Sequence, residues 1–225
     1  MTVAIGFLCS DGVVVCSDRQ MTSDAGFKYE KRKLGYMAGI FHGIRFTLIS
    51  AYAGDPDAAK IMRSLMFEHL GRKIAESRMN GVLSLKAHKA LGEIFRTRDS
   101  KGLQMLIGIR FESGVMCLFR TSGRKVVEGR MEHVGSGGDT SALRYLCGFL
   151  FPQMLNVREA QILGSYVVSI SNRYVDGCSG GPDIFTIRSD GSVSRKPDSE
   201  ACGEKIMEWE KEMGTILRKS LLSRP

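Results

Sequence analysis

An α+β fold, with helices layered over two antiparallel sheets, is predicted by three features of the sequence. Strand and helix patterns come in blocks: strands, two helices, strands, two helices, strands, then a helix. They do not alternate one by one as a parallel sheet requires. The first pair of strands is apolar on both faces, so both sides of its sheet are covered. The 225 residues, 43% of them hydrophobic, run without linker, repeat or low-complexity tract, enough for one good core or a single two-sheet domain.

A single domain is therefore expected over 1–225, with Met1 removed and 199–225 as a C-terminal helix and tail. Residues 3–8 read as a strand that turns at Ser10-Asp11-Gly12 and returns over 13–17. Asp-Gly between two apolar runs is the strongest short hairpin signal. With Asp11 and Gly12 as the turn, Thr2 lies opposite Met21, flanked by Gln20 and Thr22. Residues 40–53 read as a hairpin and strand. A helix follows over 57–76, begun by Pro56, with Ile61, Leu65, Leu70 and Ile74 at helical spacing and Met62, Met66 and Phe67 beyond that stripe. Those three fit either a wider core face or a contact between subunits. Ser84 is placed as the cap of a second helix reaching Arg96, with Leu85, Leu91, Ile94 and Phe95 inward. Strands are expected over 103–111, 115–121 and 125–129, and a third helix over 140–151, ended by Pro152. Asn156 and Glu159 have capping-box spacing for a fourth, with Ala160, Leu163, Val167 and Ile170 inward. A last hairpin over 183–188 and 192–195 turns at Asp190-Gly191, and a final helix spans about 199–222.

The residue with the most chemistry in it is Thr2. Methionine aminopeptidase usually removes Met1 before a residue this small, leaving a hydroxyl and a free α-amine on one residue. A threonine hydroxyl needs a base beside it, and the N-terminal amine, with a pKa of roughly 8, can be that base. Asp18 closes the returning strand. It reads either as a surface carboxylate or as one drawn into the sheet by a cation.

The segment TVAIGFLCSDGVVVCSDRQMTSDAGF resembles the amino terminus of mature proteasome β-type subunits and their bacterial homologues. It combines the threonine, the DGVV hairpin and the aspartate, and Lys33 in Lys31-Arg32-Lys33-Leu34 falls where that family has its catalytic lysine. Lys33 is preferred among the three cations because apolar Leu34 follows it. Tyr52-Ala53-Gly54-Asp55 is similar to the family's small-residue turn, Val134-Gly135-Ser136-Gly137-Gly138 to its GSG loop, and Asp176-Gly177-Cys178-Ser179-Gly180 to its D-x-x-S-G segment.

The resemblance implies the N-terminal nucleophile hydrolase fold, a four-layer αββα sandwich, and a threonine endopeptidase assembled into a homo-oligomeric ring in the cytoplasm. Thr2 would attack the peptide carbonyl. Charged Lys33, held by Asp18, would favour the ionised hydroxyl, and the Gly54 amide would meet the oxyanion. Asp176, Ser179 and Ser136 would orient the amine, although for Ser136 a plain turn-stabilising role weighs equally. Met21, Thr22 and Tyr52 would line the substrate pocket. Unfolded polypeptide or peptide is the implied substrate, an ATP-dependent unfoldase a conceivable partner, and no cofactor or metal is required. Two alternatives stay open: an N-terminal nucleophile amidase or transpeptidase on non-protein amides, and a catalytically silent ring subunit.

Other classes fit less well. Gly177-Cys178-Ser179-Gly180-Gly181 satisfies G-x-S-x-G, but no histidine follows Ser179, so the elbow lacks its downstream partner. Gly135 to Gly138 falls short of a dinucleotide fingerprint. The net charge of +8 is spread over short runs without interleaved aromatics, which argues against a nucleic-acid surface. No apolar stretch is long enough for a membrane span. Six scattered cysteines without CxxC pairs suit free thiols in a reducing compartment.

Overall fold

The computed structural model describes residues 2–22, 27–76, 82–97, 102–136, 154–174, 178–197, 208 and 211. These form an α+β arrangement of antiparallel sheets and helices. Strands β1 (Thr2–Cys9) and β2 (Gly12–Ser17) are followed by the short pair β3 (Gln20–Thr22) and β4 (Lys28–Glu30), then by β5 (Leu34–Phe41) and β6 (Ile44–Ala53). Helices α1 (Pro56–Glu76) and α2 (Leu83–Arg96) come next, then β7 (Gln104–Phe111), β8 (Met116–Ser122), β9 (Lys125–Glu128) and β10 (Met131–Ser136). Helix α3 (Val157–Tyr174) and the hairpin β11 (Asp183–Arg188) and β12 (Val193–Pro197) complete the described chain.

One sheet has the order β10-β1-β2-β11-β12 and the other β5-β6-β7-β8-β9, with every pairing antiparallel. Three apolar clusters bind these elements. One, with Leu48, Met66, Leu70, Leu91, Phe95 and Phe119, lies between α1, α2 and the second sheet. Another, with Ile5, Val14, Cys16, Leu163 and Val167, lies between α3 and the first sheet. The third, with Ala4, Val13, Val15, Ile49, Leu106 and Leu118, joins residues of both sheets. Burial of each large aliphatic side chain favours folding by roughly 1.5–3 kcal/mol. Strand β2 is buried at every position because it is covered on both sides, as its unbroken apolar run requires.

Several local expectations are corrected. The first turn is Ser10-Asp11, not Asp11-Gly12: Cys9 pairs with Gly12 and Ala4 with Ser17, so Thr2 does not oppose Met21. Gly12 serves a close approach, and its φ is not positive. A Cβ there would lie 2.5 Å from the Ile187 carbonyl oxygen and 2.6 Å from Val157 Cγ2. From within the turn, Asp11 Oδ1 accepts from the Val157 amide at 2.7 Å and tethers the start of α3.

Along α1 the inward stripe is Ala59, Met62, Met66, Leu70 and Ile74, whereas Ile61 is 59% exposed. Met62 and Met66 are therefore core residues. Ser84 lies inside α2, whose N-cap is Val82 with no side-chain cap, and Leu85 faces outward. The capping box of α3 forms: Glu159 donates its amide to Asn156 Oδ1, and Asn156 donates its amide to Glu159 Oε2, both at 2.9 Å. The turn of β5 into β6, His42-Gly43, has φ of 50° and 77°, the mirror-image geometry that two-residue hairpins favour. The expected third helix over 140–151 lies outside the described residues. So does the C-terminal helix apart from 208 and 211, which are helical. No helix among the described residues is long and apolar enough to cross a membrane.

Candidate active site

The site is built where the first sheet begins. Thr2 opens β1 at 5% exposure and is paired across the sheet with Ser136, the last residue of β10. On the other side β2 ends at Ser17, and Asp18 continues alongside β1, its amide donating to the Val3 carbonyl at 3.1 Å. The Asp18 side chain turns back under the same strand. Oδ1 accepts from the Val3 amide at 2.9 Å and Oδ2 from the Gln20 amide at 3.2 Å. Lys33 Nζ donates to Oδ1 at 2.8 Å and to Oδ2 at 2.7 Å. Both side chains are wholly buried.

Asp18 is thus a carboxylate drawn into the sheet by a cation, not a surface strand end. The cationic run divides sharply. Lys31 and Arg32 are exposed and line a cavity of about 280 Å³ with Arg19, Glu30 and Arg195, while Lys33 alone turns inward. Burial acts on the pair in opposite senses, pulling the Lys33 ammonium below its ordinary range and pushing the Asp18 carboxyl above its own. The charge and hydrogen bonds of each partner oppose that drift.

The remaining expected residues are distributed as follows. Gly54 follows β6 with φ of 111°, and a Cβ there would lie 2.5 Å from the Gly102 carbonyl oxygen, so only glycine fits. Its end of the second sheet is linked to Thr2's end of the first. Ala53 pairs with Gln104, whose Oε1 accepts from the Gly135 amide at 3.4 Å, and Gly135 pairs with Val3. Ser179 is exposed, and its carbonyl accepts from the Arg19 amide at 3.3 Å, which sets its loop beside Asp18. Arg19 Nε also donates to the Gly181 carbonyl at 3.0 Å. Asp176 and the side chains of Ser136 and Thr22 lie outside the described residues.

Met21 opposes Tyr29 in the β3–β4 pair and is 7% exposed, so it is not set across from Thr2. Tyr52 is 3% exposed in the cluster between β6 and α1, and burial raises the pKa of its phenol. Two neighbours were not legible from motifs. Cys178 is buried, and its thiol is pushed up to about 11, first by burial and then by the nearby Asp18 charge. Arg63 of α1 donates from Nε to Ser50 Oγ at 3.1 Å. Helical spacing could have put Arg63 near the inward side of α1, but not over a particular strand.

No protein-family model matches the chain, and no curated protein matches its sequence. Solved structures do resemble it. An Anbu (Gly-1) mutant from Hyphomicrobium sp. strain MC1 covers 100% of this chain and 98% of its own at 16% identity, with a TM-score of 0.71. Anbu, described as an ancestral β-subunit, from Yersinia bercovieri covers 99% and 97% at 16% identity, with a TM-score of 0.69. The helical assembly of the Anbu complex from Pseudomonas aeruginosa covers 96% of each chain at 13% identity, with a TM-score of 0.64.

These similarities establish a shared fold. They correct the family implied by the motifs: the chain resembles Anbu structures over nearly its whole length, and no model places it among proteasome β-type subunits.

Proposed function

We propose that this chain is a threonine-type peptidase of the N-terminal nucleophile class, a single domain folded as a four-layer αββα sandwich. The observation that carries the reading is the fully buried Lys33–Asp18 pair, locked to the amide of Val3, the residue next to Thr2. An ion pair taken wholly out of water is costly to fold, and its position beside a potential nucleophile gives that cost a purpose.

Once Met1 is removed, the Thr2 hydroxyl attacks the scissile carbonyl and the Thr2 amine takes the hydroxyl proton. The C–N bond breaks, the amine returns its proton to the leaving group, and an ester on Thr2 remains. Water, deprotonated by the same amine, hydrolyses that ester. Lys33 stabilises negative charge on the hydroxyl oxygen, and Asp18 keeps the lysine charged and placed. The Gly54 amide is the oxyanion donor, a contact worth on the order of 3 kcal/mol in comparable sites. Ser136, Asp176 and Ser179 orient the amine, and Met21, Thr22 and Tyr52 border the substrate.

The chain works as an assembly of its own copies in the cytoplasm, fed with unfolded polypeptide. In support, edge strand β5 presents Tyr36 and Ile40 to solvent and neighbouring α1 presents Ile61.

Changing Thr2 to Ala is the test. Hydrolysis of blocked peptides should disappear while circular dichroism and the assembly's mass by light scattering stay as in the wild type. A variant keeping more than about a hundredth of the rate removes Thr2 from the chemistry. Intact mass separates the silent-subunit alternative, in which Met1 is retained.

A further inference from the structure

Arg63 is held in an uncommon way for an arginine. It is half-buried, and burial lowers its pKa, yet among the described residues its side chain makes one bond, from Nε to the neutral hydroxyl of Ser50. Among the described residues no carboxylate lies within 4.0 Å of its guanidinium. Four of its five N–H donors are thus left for something else. The guanidinium lies directly over Gly35, where a Cβ would collide with Nη1, Cζ and Nε. Tyr52, on the same face of β6 as Ser50, is its electrostatic neighbour and supplies a phenolic hydroxyl.

Position gives the arrangement its meaning. Gly35 pairs with Ser50 at the start of β5, two residues beyond Lys33. Two residues of extended chain span about 7 Å. A desolvated cation therefore lies over the strand that begins next to Lys33, with room made for it by the absence of a side chain at Gly35. Partial burial strengthens its attraction for an anion, and the planar fork of arginine suits a carboxylate held by two parallel bonds.

We infer that Arg63 receives the side-chain carboxylate of an acidic residue in the substrate, the residue whose carbonyl Thr2 attacks. The inference rests on the peptidase reading above and adds a substrate class to it: cleavage after glutamate or aspartate. Tyr52 donates a second hydrogen bond to the same carboxylate. Arg63 is a specificity residue and takes no part in bond breaking.

The experiment uses peptides blocked at both ends, carrying a fluorogenic amide and differing only in Glu, Gln or Leu before the scissile bond. Gln matches Glu in shape and lacks the charge, so the wild-type comparison needs no variant. The Glu peptide should have a kcat/KM roughly tenfold or more above the Gln peptide, as one charge-assisted contact provides. Arg63→Met should bring the ratio to about one, with Arg63→Lys between, since a lysine keeps the charge but not the fork. A wild-type ratio near one, or a ratio that survives in Arg63→Met, overturns the inference. Fluorescence anisotropy with Thr2→Ala protein reads binding without turnover. Tighter binding of Glu over Gln peptide, lost when Arg63→Met is added, keeps the anion site even if Thr2-dependent hydrolysis fails. Equal binding of the two peptides removes the site even if hydrolysis succeeds.

Discussion

The buried pair makes a quantitative prediction through a double-mutant cycle. Asp18→Asn leaves the Lys33 ammonium fully buried against a neutral amide, while Asn Oδ1 can still accept from the Val3 amide at the position Asp18 Oδ1 now holds. Breaking a buried pair from one side costs about 3–5 kcal/mol. Lys33→Met keeps most of the stem and strands the carboxylate, which retains two backbone donors, from Val3 and Gln20. That loss should be smaller, about 1–3 kcal/mol, because the carboxyl can also take up a proton. In Asp18→Asn/Lys33→Met no charge remains, and the double variant should be more stable than Asp18→Asn alone, by at least about 2 kcal/mol. Urea titration followed by far-ultraviolet circular dichroism measures all four corners. The sign of the pH dependence follows from the shifts. Asp18 is raised from 3.8, so above that pH the folded chain holds a proton the unfolded chain has lost, and stability falls as pH rises through the folded value. Lys33 is lowered from 10.5, so its contribution returns as pH climbs towards that value and is lost as pH falls through the folded one. Relative to the double variant, the wild type should be least stable between those two windows. Losses that add to within about 0.5 kcal/mol, with no such dip, would show that the two residues do not act as a unit. All three variants should lose peptidase activity.

Other outcomes are expected from single positions. Gly12→Val should cost more than about 2 kcal/mol in urea titration, since any Cβ meets the Ile187 carbonyl and Val157 at once. His42→Gly should raise stability by up to about 1 kcal/mol, the roughly 1–2 kcal/mol of left-handed strain it relieves being partly offset by glycine's greater freedom in the unfolded chain, and a loss would mean the His42 side chain is held there. Gly54→Ala should lower both stability and kcat, because φ of 111° and the Gly102 carbonyl exclude a side chain; unchanged kcat/KM would remove Gly54 from the oxyanion role. Cys9 and Cys117, with thiols pushed up to about 12, and Cys178, at about 11, should resist iodoacetamide at pH 7.5 until urea unfolds the chain. Rapid labelling of Cys178 in the native protein would show that its loop opens.

Elements with strong periodicity or punctuation were legible in the sequence. The apolar hairpin, α1, α2, α3 with its capping box, and the β11–β12 turn fall within a few residues of where their patterns put them. Elements whose form depends on a distant partner were not. Strand β10 carries Glu132, His133 and Gly135, reads as a loop, and is a strand because β1 offers it an edge from Phe7 to Thr2. The start of β5 alternates half-buried glycines with exposed Tyr36 and Ile40, a weak local signal that β6 completes through pairing. The hairpin register failed for the same reason. Asp11-Gly12 has the composition of a turn, but Gly12 is needed by β11 and Asp11 by α3, neither of which the local sequence reveals.

The site divides along the same line. Lys33 could be chosen from Lys31-Arg32-Lys33 because an apolar residue follows it, and burial agrees with that choice: a cation entering a core needs apolar chain on its inner side and a carboxylate waiting. Asp18 is that carboxylate, and the charge and hydrogen bonds of Lys33, followed by its two backbone donors, oppose the effect of its burial. Arg63 had no such marker. Its surroundings combine a glycine on one strand, a serine on the next and a tyrosine two residues further along, which only the pairing of Gly35 with Ser50 brings beneath α1. A sequence therefore discloses chemistry that is local or follows a fixed order of motifs, such as a threonine, an aspartate and a lysine. It conceals specificity, which arises where helix and sheet meet. The cation proposed to select acidic residues, at Arg63, is the feature that the motifs leave unmarked.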